Sequence, residues 1–464
     1  MRKLIFFPLA PVALLVGCTM APHYQRPASP AAQTWPENTA AKSSDRVAAD
    51  LGWNEFFRDA RLRKVVELAL ANNRDLRVAA LNVEQVRAQY RIQRAALLPA
   101  VNAMGGGMRS RTPGSVTGTE PVIGSTYSVT AGVTAYELDL FGRVRSLKDK
   151  ALETYLATDE TRRSVQLSLV AAVAVQYLTQ RALTEQLQLA QSTYTAVSAS
   201  YNLTRQSYEL GNASELDFQS AEVQVQTARA NVANYRQQLA AADTALVLLV
   251  GCALPSDLPA PTTLASTGLL TELSSGLPSD LLQRRPDILA AEHALKAANA
   301  NIGAARAAFF PRIALTGSMG TASTELSGLF KNGTESWSFS PSITLPIFAA
   351  GSNKAALDAA KVTKLIDVAA YEKAIQTAFK EVADALSARA PLDERLAAYT
   401  ALVAAQQKRY TLAEARYRYG VDSYLEVLTA QQDLYNAQQT FIVVQLARLS
   451  NQVGLYKTLG GGWQ

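Results

Sequence analysis

Side chains able to do chemistry are scarce in this sequence. His23, His293, Cys18 and Cys252 are its only histidines and cysteines in 464 residues, and none sits at metal-ligand spacing. Zinc chemistry and Cys/His catalysis are thereby nearly excluded. No phosphate loop, dinucleotide fingerprint or catalytic triad appears, so an enzyme is the least favoured class. Lys and Arg exceed Asp and Glu by six, thinly spread and without a basic run, so nucleic acid is not an expected partner. One feature remains, Cys18 itself.

The segment before Cys18 gives that thiol its chemistry. Arg2 and Lys3 precede an apolar run, Leu4 to Val16, too short to span a membrane, as in a secretory signal that is removed. Leu15-Val16-Gly17-Cys18 resembles the bacterial lipobox, which implies cleavage after Gly17, acylation of Cys18 and, with Thr19 following, an outer-membrane anchor. The alternative is an ordinary signal peptide that contains a cysteine. No cofactor is expected beyond that covalent lipid. Residues 18–59 read as a lipid-anchored leader, whose Ala, Pro, Ser and Thr up to about residue 50 space the anchor from the fold. Cys252 reads as a small buried hydrophobe after a helix.

The elements that would position these residues occur twice. Pro99 in RAALLPAV and Pro311 in RAAFFPRI, like Asp75 and Asp287, share an offset of 212; YELGNASELD from Tyr208 matches YRYGVDSYLE from Tyr417 at 209. The expected repeats are 60–255 and 279–459, joined by a linker at 256–278 and followed by a tail at 460–464. The first holds helices at about 60–98, 147–210 and 213–250 and strands at about 101–111 and 127–137. The second holds helices at about 279–309, 353–418 and 424–457 and strands at about 312–321 and 337–347. From Tyr127 to Ala135 odd positions are apolar and even ones Ser, Thr or Gly, and the same alternation runs from Trp337. The long segments carry heptads instead: Leu428, Tyr435, Ile442, Leu449 and Tyr456 recur every seventh residue. A helix over 147–210 would run roughly 95 Å at 1.5 Å per residue, far more than one globular core needs.

Four amphipathic strands of bilayer length pose a closure problem. Only closed barrels satisfy backbone groups in lipid, and four strands cannot close around anything, so several chains would share one barrel. A small soluble sheet with one face on a core is the other reading.

These residues resemble the TolC-like outer-membrane efflux factors, in particular the lipid-anchored OprM-type branch. The resemblance covers residues 18 to 460. It rests on the lipobox, YELDLFGR (Tyr136 to Arg143), RRPDILAAEHALKAANANIGAARAAFFPRIALTGS (Arg284 to Ser318), the turn YGVDSYL (Tyr419 to Leu425) and the C-terminal VGLYKTLGGGW. It implies a mostly α fold with a membrane β-barrel: a homotrimer whose four strands per chain make a twelve-stranded barrel, with a twelve-helix periplasmic tunnel and a mixed α/β girdle. It also implies a passive duct in the outer membrane that serves an inner-membrane RND-type pump through a periplasmic adaptor. Helix-tip turns at Gly211 and Gly420, with Leu216, would meet the adaptor. Leu425 and Thr429, with Asp422 and Glu426, would form the aperture, Thr429 standing where relatives often carry Asp. Asp139, Gly142 and Arg143 would lock the corner between barrel and tunnel; the second corner, at Gly351, lacks those acids and the Arg. A type I protein secretion outlet and a periplasmic coiled-coil lipoprotein without a pore are the competing readings.

Overall fold

The computed structural model describes residues 19–32, 51–118, 120–270 and 284–462. Residues 1–18 fall outside it, so the signal segment, Gly17 and Cys18 have no structural account. Among the described residues no helix is long and apolar enough to cross a membrane. In chain order the elements are α1 (Trp53–Phe56), α2 (Ala60–Asn72), α3 (Arg74–Ala95), β1 (Val101–Thr112), α4 (Gly114–Thr117), β2 (Val122–Leu138), α5 (Arg143–Glu209) and α6 (Glu215–Val250). The second half follows with α7 (Pro286–Ala307), β3 (Arg312–Ser323), β4 (Glu335–Thr344), α8 (Ser352–Ser387), α9 (Arg389–Arg418) and α10 (Tyr424–Thr458).

Several boundaries differ from those read in the sequence. The first helix is broken at Asn73, whose backbone turns extended (ψ 132°) while its Oδ1 accepts from Leu76 N at 2.8 Å and so caps α3. The span 353–418 is likewise two helices, interrupted at Ala388. β2 begins five residues before Tyr127, and β4 ends at Thr344, before Pro346.

The chain forms two compact units, one of residues up to 28, 83–158 and 291–371, the other of 29–82, 159–290 and 372 onward. The first holds a four-stranded antiparallel sheet in the order β1-β2-β3-β4. Register sorts its side chains, because residues directly across the ladder share a face. Ala103, Ala131, Met319 and Trp337 lie in one row, and Val101, Val133, Gly317 and Phe339 in the next. The opposite face carries Met104, Thr130, Gly320 and Ser336, then Asn102, Gly132, Ser318 and Ser338, with a 2.9 Å bond between the last two hydroxyls. Over these rows of β2 to β4 one face is therefore apolar and the other hydroxyl-rich, while β1 departs from the sorting with Met104 and Met108 on the hydroxyl side; Trp337, Phe339 and Ile343 stand exposed on the apolar face. The alternation fails at Ala135. A bulge between Val133 and Tyr136 puts Ala135 at φ 52°, its N–H donating to Thr316 Oγ1 at 3.1 Å, and the phase resumes shifted so that Tyr136 opposes Leu315.

The leader is more than a spacer. Arg26 donates to both carboxylate oxygens of Glu292 (3.1 and 2.8 Å), Tyr24 Oη donates to Oε1 (3.1 Å), Asn299 donates to Pro22 O (2.7 Å) and Arg306 to Met20 O (3.2 Å). At Gly303 a Cβ would stand 2.7 Å from Ala21 N, so this strap needs a glycine beneath it. The sequence hides this because the strap is short and polar and its partners lie some 270 residues away. Glu292 is buried, which raises its pKa, but hydrogen bonds from Arg26 and Lys296 outweigh that and leave it below the ordinary 4.5. A depressed carboxylate stabilises above its unfolded pKa and loses that contribution as pH falls through its folded one. Glu292→Gln at pH 7 is accordingly expected to speed amide exchange across residues 20–26 by roughly tenfold, the loss of one charge-assisted bond. Unchanged exchange there would show that the strap is held by packing alone.

The second unit owes its core to the heptads: Leu428, Tyr435, Ile442, Leu449 and Tyr456 are all buried. The end of the leader joins that core, since Phe56 and Phe57 are fully buried, Phe56 stacks on Tyr456 at 4.0 Å, and Tyr456 Oη donates to Leu51 O at 2.6 Å. Residues 256–270 of the linker pack there too, with Phe57 bridged to Leu269 and the Thr262 hydroxyl bonded to Asp59. Its remainder to 278, like the expected helix start at 279–283, lies outside the described residues.

Candidate aperture, helix tips and corners

Each half ends a long helix with the same device. After α5, Gly211 takes φ 76°, its N–H reaches Tyr208 O at 2.9 Å and Asn212 N reaches Ser207 O at 2.8 Å. After α9, Gly420 takes φ 69°, with Gly420 N on Tyr417 O and Val421 N on Arg416 O, both at 2.9 Å. Both are left-handed glycine caps of the Schellman type, which satisfy helix-end carbonyls at a conformation costly for other residues. The next helix starts three residues later at a serine N-cap; Ser214 accepts from Asp217 N at 3.1 Å. Leu216 and Leu425, both near those starts, are exposed.

The two acids of the second turn differ. Asp422 is gripped by Arg416 through two bonds (2.5 and 2.9 Å), and that bonding holds its carboxyl below the ordinary aspartate range. It serves the turn and presents little free charge. Glu426 sits in the first turn of α10, exposed, where the helix dipole suits an acid. Thr429 turns its hydroxyl back to Leu425 O at 2.9 Å. Leu425 and Thr429 share a groove of about 340 Å³ with Ser220, Val223 and Gln224 of α6. Beneath the turn, buried Tyr424, Val427 and Leu428 pack with Ala221 and fix the register of α10 against α6.

The corners bend by different means. At the first, Gly142 has φ 73°. Arg143 does not meet Asp139; it forks onto Glu137 (2.8 and 2.7 Å), which Arg312 also approaches at 2.6 Å. Asp139 accepts instead from Val144 N and Arg145 N (3.1 and 2.8 Å), capping the first turn of α5, and from Arg145 Nε at 3.1 Å. Glu137, Arg145 and Arg312 were thus missed by the sequence reading, although Glu137 lies inside the same YELDLFGR motif. The second corner relies on backbone conformation and one amide: Ala350 and Gly351 both have positive φ (46° and 84°), Ser352 N bonds to Ala349 O at 2.9 Å, and Asn353 Nδ2 donates to Ala308 O at 3.2 Å.

Among the described residues no cluster of His, Cys, Asp or Glu could hold a metal.

Comparison with known proteins gives a consistent picture. The outer membrane efflux protein family is matched over residues 65–252 and 277–461, one segment for each half of the duplication. The chain is 52% identical over 454 residues to the probable efflux pump outer membrane protein TtgC of Pseudomonas putida, covering 97% of this chain and 94% of that one. It is 46% identical to the outer membrane protein OprJ of Pseudomonas aeruginosa, covering 97% and 95%. Among solved structures, the open state of the Neisseria gonorrhoeae MtrE outer membrane channel superposes with a TM-score of 0.90 at 43% identity, covering 96% of this chain and 99% of that one.

Proposed function

The chain belongs to the outer membrane efflux protein family, and from that premise we infer that it is the outer-membrane channel of an efflux pump, passing small molecules outward. The observation that carries this reading is the sheet. Its two outer strands, β1 and β4, have no partner on their outer edges among the described residues, and across the central rows of β2 to β4 its faces are sorted into apolar and hydroxyl-rich. An edge of bare N–H and C=O groups has no place in lipid, so copies must pair edge to edge until the sheet closes. Three copies give twelve strands, with the apolar face to lipid and the hydroxyls toward a water-filled lumen. The lipid on Cys18 adds a second hold on the outer membrane.

Transport through such a duct needs no chemistry from this chain. Energy comes from an inner-membrane RND-type pump, reached through a periplasmic adaptor that docks on the paired tips, where Gly211, Gly420 and exposed Leu216 lie. Leu425 narrows the periplasmic end. The test is single-channel conductance in a planar bilayer, where Leu425→Ala is expected to raise conductance several-fold over the parent channel by removing an apolar constriction. A parent and mutant of equal conductance would remove Leu425 from the aperture, and absence of conductance in both would remove the channel.

A further inference from the structure

The outer end of the sheet carries two charges that neither the aperture nor the corners use. β1 pairs with β2 in unbroken register from Val101 to Thr112, so its alternate residues keep one face throughout. Val101 and Ala103 lie on the apolar face beside Val133 and Ala131. Two residues at a time, the same face then takes Gly105, Gly107, Arg109 and Arg111. Both arginines are exposed, and neither has an ion-pair partner among the described residues. The helices join the sheet at its Val101 end, through α3 before β1 and α5 after β2, so the arginines lie toward the opposite, outward end. At about 3.4 Å per residue and a tilt of about 40°, Arg109 and Arg111 stand about 20 and 25 Å above Val101, at the top of an apolar band about 25 Å tall. Tyr127 stands just below them on the same face, opposite Gly107, where an added Cβ would come within 2.9 Å of its ring. An aromatic ring followed by cations is the order expected on leaving hydrocarbon for headgroups.

We propose that Arg109 and Arg111 form a docking site for the phosphates of lipopolysaccharide, the phosphorylated glycolipid of the outer leaflet. The proposal rests on the reading above that the apolar face of the sheet meets lipid. A charge on that face is costly at mid-bilayer and nearly free at the interface, so two arginines at this height need water or an anion beside them. Charge complementarity selects the anion. Two residues apart on one strand face, their Cα atoms lie about 7 Å from each other, within reach of both guanidinium forks onto one phosphate or onto the two phosphates of one sugar headgroup. Ser125, directly across from Arg109, adds a hydroxyl donor, and Ile123, across from Arg111, gives that side chain's stem an apolar flank. The acid on this face is Glu335, in the row of Gly105, Val129 and Thr321 and three strands from β1 within one chain. In a closed barrel β4 abuts β1 of the next copy, which makes Glu335 the rival occupant.

The experiment titrates the full-length channel in detergent with short-chain lipopolysaccharide. Arg109→Gln combined with Arg111→Gln is expected to weaken binding roughly tenfold, and the corresponding lysine pair to weaken it less, since charge is kept and only the fork is lost. The parent should bind the dephosphorylated glycolipid no better than the glutamine pair binds the intact one. Equal affinity of parent and glutamine pair overturns the proposal, as does parent binding that ignores the phosphates or that phosphatidylglycerol matches. A glutamine pair that loses its oligomer in glycolipid-free detergent also overturns it, because the arginines would then hold the next copy through Glu335. Reversal potential across a KCl gradient, in planar bilayers free of the glycolipid, separates the proposal from the reading beneath it. The glutamine pair is expected to match the parent in ion preference. A shift would place the arginines in the lumen and overturn the facing of the sheet together with the proposal, whereas a match with equal glycolipid affinities overturns the proposal alone.

Discussion

Gly320→Val is expected to abolish the assembled channel, leaving protein that neither forms an oligomer resistant to detergent nor conducts. A Cβ at position 320 would stand 2.0 Å from Val129 O and 2.6 Å from Thr130 Cα, and one at Gly132 would stand 2.3 Å from Gly317 O. These atoms are backbone, so no side-chain rotation relieves the overlap; β2 and β3 must separate. That seam joins the two halves of the duplication and holds the two hairpins in one sheet. Overpacking a tight interior typically costs about 1–3 kcal/mol, and more where only backbone can move. Gly106, in β1, has nothing within 4 Å of its Cβ position, so Gly106→Ala is the matched control expected to assemble. Semi-native electrophoresis of both variants checks the contrast. Equal oligomer yields would mean that the β2–β3 seam is slack enough to part without cost.

The same seam shows what the sequence could and could not convey. Period-two alternation locates each strand because it follows from the pleat alone, and the heptads, with their 3.5-residue period, locate the long helices because they follow from the helical turn alone. Both are local rules. The bulge at Ala135 is invisible to them, since nothing in TYSVTAGVTAYEL requires an extra residue there; it arises from pairing with β3, far along the chain. The break at Asn73 was legible in principle, because Asn is a good cap, yet apolar residues continue on both sides and conceal it. Ion pairs were hardest. Arg143 was found by its motif, but its partner Glu137 was not, and Asp433 carries no motif at all: only the packing of α9 on α10 puts Arg409 beside it.

Arg285→Met carries the largest expected stability loss outside the sheet, and the position of Arg285 explains it. The residue opens α7 in the RRPD run, and its side chain is only 9% exposed. Its guanidinium donates to both oxygens of Asp287 (3.0 and 2.6 Å), to Glu381 of α8 (2.8 Å) and to Thr458 O at the end of α10 (3.1 Å). One planar group therefore ties the start of one helix to the flank of a second and the end of a third. Burial pulls its pKa down, yet bonding to Asp287 and Glu381 prevails and leaves it raised, so Arg285 stays charged at every pH at which the protein folds. Asp287 and Glu381 keep 38% and 42% exposure, so water compensates them in part once the arginine goes; Thr458 O loses its donor outright. Removing one partner of a fully buried pair costs about 3–5 kcal/mol, and this exposure lowers the expectation to about 2–3. Methionine matches the stem in length and polarity, so packing is nearly retained and the loss reports the charged bonds. Arg285→Lys keeps the charge but not the fork, and should recover less than half of it. Denaturant unfolding of the three proteins in detergent, followed by far-ultraviolet dichroism, reads the order directly. A lysine variant as stable as the parent would mean that charge alone, rather than the three-way geometry, holds these helix ends together.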